Sequence, residues 1–279
     1  MENINFFTSA LGKHNIYAFP YIVSSLITND DAVCEIIVES TNILSSIQKD
    51  FLTCVFKNNW LIHTPDSPMD KWNRTNIAKL ASVRWISIPK IKCSYTYTGD
   101  VDILLLDKDI YHGHLEHARF LELPYSNIIR HPNKRFSGCH FVISADWYSK
   151  INNDYCKEVV QKIETTGYCL DEWLLYKLAL NFGLPDEEKL KTKSNSGILP
   201  YYNVFYRPIH GIHLSLNRKD LLGWGVSLLR YQQFLNFKQN IVWKEAEKLF
   251  DEKYTELYNL IPLAYEKNRL YMEQKRRKT

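Results

Sequence analysis

Asp100 and Asp102 are the residues whose type and spacing bear most directly on chemistry. In Gly99-Asp100-Val101-Asp102 two carboxylates stand one residue apart, ahead of the apolar run Ile103-Leu104-Leu105-Leu106. Alternate residues on an extended segment face the same side, so the pair is expected together at the start of a buried strand. Two like charges beside a glycine make a poor core and a good cation site. Hard divalent cations prefer oxygen ligands and can bridge a diphosphate, and a cation there would neutralise a leaving diphosphate as a Lewis acid. Two solvated acids at a strand end are the plain alternative. A second acidic pair, Asp171-Glu172, opens an apolar segment, where capping and the helix dipole would favour it without any chemistry. Histidines concentrate twice. Arg207-Pro208-Ile209-His210-Gly211-Ile212-His213 places two of them in a loop-like stretch, with Arg207 and Lys219 nearby as candidate diphosphate contacts or surface charge. His112, His114 and His117 form an H-x-H-x-x-H run whose spacing suits zinc but lacks a fourth ligand nearby, which favours solvated or acceptor-facing rings.

The elements that must position these residues read as alternating strands and helices. Strands are expected over Asn5–Ala10, Ala32–Glu39, Trp60–His63 and Tyr95–Thr98, the last running into the buried segment after Asp102. Helices are expected over Tyr17–Thr28, with Pro20 tolerated in the first turn, over Thr41–Phe51 behind a Ser40 or Thr41 cap, and over Arg74–Ile86. This alternation implies βαβ units and a mainly parallel sheet. Further on, Phe141–Ser144 reads as a strand, Cys156–Thr165 and Asp171–Phe182 as helices, and Lys189–Gly197 as a polar loop. Asn240–Tyr258 reads as one long amphipathic helix, continuing past Pro262 into a basic tail. No internal repeat is visible.

The stretch Arg84-Trp85-Ile86-Ser87-Ile88-Pro89 through Asp100-Val101-Asp102-Ile103 to Asp109-Ile110 resembles the nucleotide-sugar glycosyltransferases of the GT-A fold, most closely family 8. There an Arg-containing helix leads through a proline to a strand ending in D-x-D. Phe136-Ser137-Gly138 through Trp147 is similar to the family's "F-N-[AS]-G…W" segment. Leu170-Asp171-Glu172-Trp173-Leu174-Leu175 looks like its "D-Q-x-x-L-N" helix start, and the N-terminal strand and helix are similar to its nucleotide-binding start. The resemblance spans roughly residues 4 to 215. It implies an α/β GT-A fold, a Rossmann-like mixed sheet flanked by helices, with a glycosyltransferase domain over 1–235 and a helical extension with a basic tail over 236–279. It implies Mn²⁺ or Mg²⁺ on Asp100 and Asp102, with His213 or His210 as the third ligand, and donor contacts from Thr8, Arg84, Asp100, Val101, Ser137 and Gly138. By the same resemblance Asp171 would hold sugar hydroxyls while Glu172 sits near the anomeric carbon, where a carboxylate stabilises an oxocarbenium-like state. Two departures matter. The family carries an amide where this chain has Glu172, which opens the stereochemistry, since a Glu could act as general base. Its "H-x-x-G-x-K-P-W" context is also incomplete around His210 and His213.

The expected activity is therefore metal-dependent transfer from a nucleotide-diphosphate sugar, UDP-linked, to a glycan or lipid-linked acceptor in surface polysaccharide or glycoconjugate synthesis. A metal-dependent nucleotidyltransferase and a non-catalytic sugar-nucleotide or glycan-binding protein are the other readings. The first is weakened by the single Gly in Thr8–Lys13. Composition bounds the rest. The 279 residues are 45% hydrophobic and 24% charged, which excludes a largely disordered chain. The net charge is +4, and the excess sits at the end of the chain, where Lys267–Thr279 hold six Lys/Arg and one Glu. A near-neutral body argues against a dedicated nucleic-acid binder. The tail is either simply solvated or meets anionic lipid headgroups, giving a cytoplasmic protein with peripheral contact at the inner membrane face. The longest apolar stretch, Tyr17–Thr28, is too short to span a bilayer. No secretory signal is visible, and six Cys without a C-x-x-C read as free thiols in a reducing cytosol.

Overall fold

The computed structural model describes residues 3–65, 77–127, 129–130, 135–152, 154–155, 158, 161, 171–185, 210–216 and 221–277. The helix expected over 156–165, the loop over 189–197, Arg207 and Lys219 fall wholly or mostly outside these. The chain builds a six-stranded mixed sheet from β1 (Ile4–Ala10), β2 (Val33–Val38), β3 (Trp60–His63), β4 (Tyr95–Thr98), β6 (Tyr125–Ser126) and β9 (His140–Ile143), in the order β3-β2-β1-β4-β9-β6. The four strands from β3 to β4 are mutually parallel, and β9 runs antiparallel to both β4 and β6. A separate pair joins β5 (Ile103–Leu105) to β10 (Gly211–His213), antiparallel, and β7 (Ile129–Arg130) pairs with β8 (Arg135–Phe136). The expected mainly parallel α/β sheet is observed.

The central parallel strands are buried on both faces, which is why β2 reads as a nearly continuous apolar run rather than an alternating one. Phe6, Ile36 and Phe141 point into one core and their neighbours Phe7, Ile37 and Val142 into the other. Helices α1 (Ala18–Thr28), α2 (Ser46–Phe56) and α4 (Ile110–Leu121), with the C-terminal helices, close the first core; α3 (Ile77–Ile86), α5 (Ser144–Lys150) and α6 (Asp171–Ala179) close the second. Glu35 is the exception inside β2, fully buried. Its carboxylate accepts from Asn5 Nδ2, His63 Nε2 and the backbone N–H groups of Lys90 and Ile91, at 2.7–3.0 Å. Four donors compensate its desolvation and tie the connection entering β4 to the sheet.

Several boundaries differ from expectation. A 3-10 turn over Gly12–Tyr17 precedes α1, which begins at Ala18 with Pro20 in its first turn. The helix expected from Thr41 divides: Ser40 caps a short 3-10 turn, Thr41–Ile43, and α2 starts at Ser46 behind a capping box of Ser45 and Gln48. The second cap is the stronger start signal because it satisfies two end groups reciprocally. The single helix expected over Asn240–Tyr258 is also two. Following α7 (Leu228–Phe237), α8 (Ile241–Glu247) starts at an Asn240 cap and α9 (Glu252–Asn259) at an Asp251 cap. Pro262 then lies in the first turn of α10 (Ile261–Arg276), where its missing N–H costs nothing. Among the described residues no helix is long and apolar enough to cross a membrane. Cys34, Cys54, Cys93 and Cys139 carry thiols; burial pushes that of Cys34 up to about 12.

Candidate functional site

The connection leaving β4 places the acids. Residues 99–102 are not strand but turn, closed by Ile103 N–H donating to Asp100 O at 3.2 Å. The expected strand alternation is therefore corrected: a tight turn brings the two carboxylates together, at the carboxyl end of β4 beside β1. Thr8 on β1 is buried, and its hydroxyl donates to Gly99 O at 2.7 Å. Val101 is packed into the core, so the turn is fastened from below while Asp100 stays partly exposed.

His213 arrives from the other side. Its strand β10 lies against β5, with His213 opposite Ile103. Leu214 N–H donates to Asp102 O at 2.7 Å and Tyr17 Oη donates to Leu214 O at 2.5 Å. His213 Nε2 lies 3.0 Å from Asp102 Oδ1. Asp100, Asp102 and His213 offer ligand atoms all within 4.8 Å of one another, the one group of this kind among the described residues. His210 does not join it. Its ring reaches Asp107 at 3.1 Å and His114 at 2.7 Å, so both nitrogens are engaged away from the acids.

Arg84 joins the two acidic pairs. It projects from α3, buried, and donates through Nη2 to Asp100 Oδ1 at 2.7 Å and to Asp171 Oδ2 at 3.0 Å, and through Nη1 to Gly99 O at 3.1 Å. Burial works against its charge, but Asp100 and Asp171 outweigh it and raise its pKa further. Asp171 and Glu172 occupy the first turn of α6, half-buried, with Asp171 Oδ1 accepting from Glu172 N–H at 2.9 Å. Ser137 is buried and clamped by Asn127, which donates to Ser137 O and accepts from its N–H, each at 3.0 Å. That clamp sets Gly138 so near the acids that a Cβ there would stand 3.0 Å from Asp100 Oδ1 and 3.4 Å from Arg84 Nη2. The site thus assembles Arg84, Asp100, Asp102, Gly138, Asp171 and His213 from five separate stretches of chain.

Neither a family profile nor a curated protein sequence matches the chain. Solved structures do. The galactosyltransferase LgtC, crystallised with donor and acceptor sugar analogs, aligns with 63% of this chain and 70% of its own at 10% identity and a TM-score of 0.43. An active-site mutant of LgtC aligns over the same shares at 11% identity and a TM-score of 0.42.

Sequence reasoning missed three contributors. His14, in the 3-10 turn after β1, is half-buried in the field of Asp102 and Arg84; burial lowers its pKa, with Asp102 pulling the other way. Asn127 and Asp107 are ordinary polar residues in the sequence and carry no local signal. The H-x-H-x-x-H run dissolves as a zinc candidate. His112 is exposed and pairs with Asp109, while His114 Nδ1 and His117 Nδ1 both meet Ser126 Oγ, at 2.8 and 2.7 Å.

Proposed function

We propose that the chain is a metal-dependent glycosyltransferase of GT-A type, transferring a sugar from a nucleotide-diphosphate donor, a UDP-sugar, to a glycan or lipid-linked acceptor in surface polysaccharide or glycoconjugate synthesis. The observation that carries this reading is the grouping of Asp100, Asp102 and His213 at the carboxyl end of the parallel strands, the edge where α/β sheets place their ligands. Two carboxylates and an imidazole are a donor set suited to Mn²⁺ or Mg²⁺. His213 Nδ1 is buried without a hydrogen-bond partner, so the ring has a further lone pair or proton to place when a ligand arrives. In this reading residues 1–235 form the transferase and 236–279 its helical extension.

A cation held by Asp100, Asp102 and His213 would supply positive charge to the departing diphosphate. The protein's own residues do the rest. Arg84 holds Asp100 in place and keeps a second positive group beside the phosphates. Gly138 forms the wall next to Asp100, where its lack of a side chain lets a sugar approach closely, and the buried Ser137 before it anchors that wall to Asn127. Thr8 and Val101 fix the turn from beneath. Asp171, with one oxygen held by Arg84, accepts from sugar hydroxyls, and Glu172 is the carboxylate nearest in sequence that can stabilise the oxocarbenium-like state or serve as base.

Thermal stabilisation by UDP, GDP and CDP, each with and without Mn²⁺, tests this on the wild type and on Asp102→Ala. Stabilisation by UDP that needs Mn²⁺ and disappears in the variant is the expected result, worth about 2.7 kcal/mol at a hundredfold excess over Kd. Absence of any shift at millimolar nucleotide would remove the reading.

A further inference from the structure

β10 is three residues long, with three register pairs to β5, too short to hold its own position. It is nevertheless the strand that delivers His213. At its trailing end Leu214 is fastened to Asp102 and Tyr17. At its leading end everything converges on Asp107, just past β5. His210 O accepts the N–H groups of Leu106 and Asp107, at 2.8 and 3.1 Å, and the His210 ring donates from Nδ1 to Asp107 Oδ2. Its Nε2 is hydrogen-bonded to His114 Nε2 at 2.7 Å, and His114 Nδ1 to the Ser126 hydroxyl at 2.8 Å. Asp107 is itself gripped from α7. Arg230 sets its guanidinium across both carboxylate oxygens, at 3.0 Å for Nη2 to Oδ2 and closely for Nη1 to Oδ1, and Gln233 Nε2 donates to Oδ1 at 3.0 Å. Gln233 Oε1 accepts from Arg230 at 2.9 Å and squares the fork. Burial alone would raise the pKa of Asp107, but the His210 and Arg230 bonds overcome it and hold the carboxyl well below its ordinary range.

We infer that Arg230 is a positioning residue for His213: through Asp107 and His210 it fixes the leading end of β10 and so sets the reach of the third ligand toward Asp100 and Asp102. This rests on the proposed metal reading. It makes the helix over 228–237 part of the cation site's support, through the bonds of Arg230 and Gln233 to Asp107. Such supporting contacts commonly govern metal affinity by about tenfold or more, because they hold ligand orientation.

The test is Mn²⁺ affinity, measured from the free-Mn²⁺ electron paramagnetic resonance signal, beside the thermal midpoint without cation. Arg230→Met and Asp107→Asn are expected to weaken Mn²⁺ binding by about tenfold. Tyr258→Phe is the control; it removes a hydroxyl bonded to Trp243 and Glu247 in the same helical layer and should lower the midpoint while leaving affinity unchanged. Wild-type affinity in Arg230→Met and Asp107→Asn would overturn the inference while leaving the metal reading intact. Failure of the wild type to bind Mn²⁺ in an Asp102-dependent way would overturn both. Should Arg230→Met not fold, Gln233→Leu, which removes one donor from Asp107, carries the same comparison.

Discussion

Gly138 lies where the backbone must pass the Asp100 carboxylate and the Arg84 guanidinium. A methyl group there would stand 3.0 and 3.3 Å from the two Asp100 oxygens, tight enough to push the carboxylate aside. Gly138→Ala is expected to keep the fold, since the glycine's φ is not in the left-handed region, yet to weaken Mn²⁺ binding severalfold. Titration of Mn²⁺ against the folded variant checks this, and unchanged affinity would overturn the idea that Gly138 sets the position of the Asp100 carboxylate. Arg84 is more exacting. Its truncation leaves Asp100, Asp171 and Gly99 O without their shared donor, and charged hydrogen bonds of this kind are worth about 1.5–3 kcal/mol. The types of these residues are visible in the sequence, but their contact is not: Arg84 and Asp171 are 87 positions apart, and nothing local in either says that they meet.

At the scale of elements, legibility follows how much a segment's own residues decide its shape. β1 to β4 are plain in the sequence because buried parallel strands announce themselves as β-branched and aromatic runs. Helix starts are harder to read. Ser40 and Ser45 both offer caps, and only the reciprocal Gln48 contact distinguishes them. Replacing Ser45 with Ala should cost about 1 kcal/mol in urea unfolding, as cap loss does, whereas Ser40→Ala should cost less because it opens only a 3-10 turn. β10 carries no strand signal of its own. Its three residues have no pattern, and its register follows from a neighbour: a Cβ on Gly211 would fall 1.7 Å from Leu104 O. Likewise the turn through Asp100 and Asp102 mimics a strand in sequence because Val101 is as apolar as a strand residue would be.

At the scale of the whole molecule, three buried histidines make stability depend on pH. Burial lowers the pKa of His117 to about 4 and that of His140 to about 3; His114 is lowered as well, by burial and then by its histidine neighbours. Each ring therefore binds fewer protons folded than unfolded at any pH between its folded value and the ordinary 6.5 or so. Their contribution is complete above about pH 6.5 and is lost as pH falls through that window, by up to about 1.4 kcal/mol per pH unit per ring. Urea midpoints measured from neutrality down to about pH 4 should fall more steeply for the wild type than for His117→Gln; parallel curves would mean that His117 is protonated in the fold. The C-terminal helices belong to the same body of packing, since Trp243, Tyr254, Tyr258 and Ile261 share one core with Tyr17 and Phe19.

The Arg84 fork has one more consequence. A pair of acids facing each other would ordinarily leave a nascent chain waiting for an ion before it could close. Here the counter-charge is written into the polypeptide, with the Arg84 guanidinium set between Asp100 and Asp171. Closure of this turn during folding therefore need not wait on a counter-ion from outside: the chain brings its own.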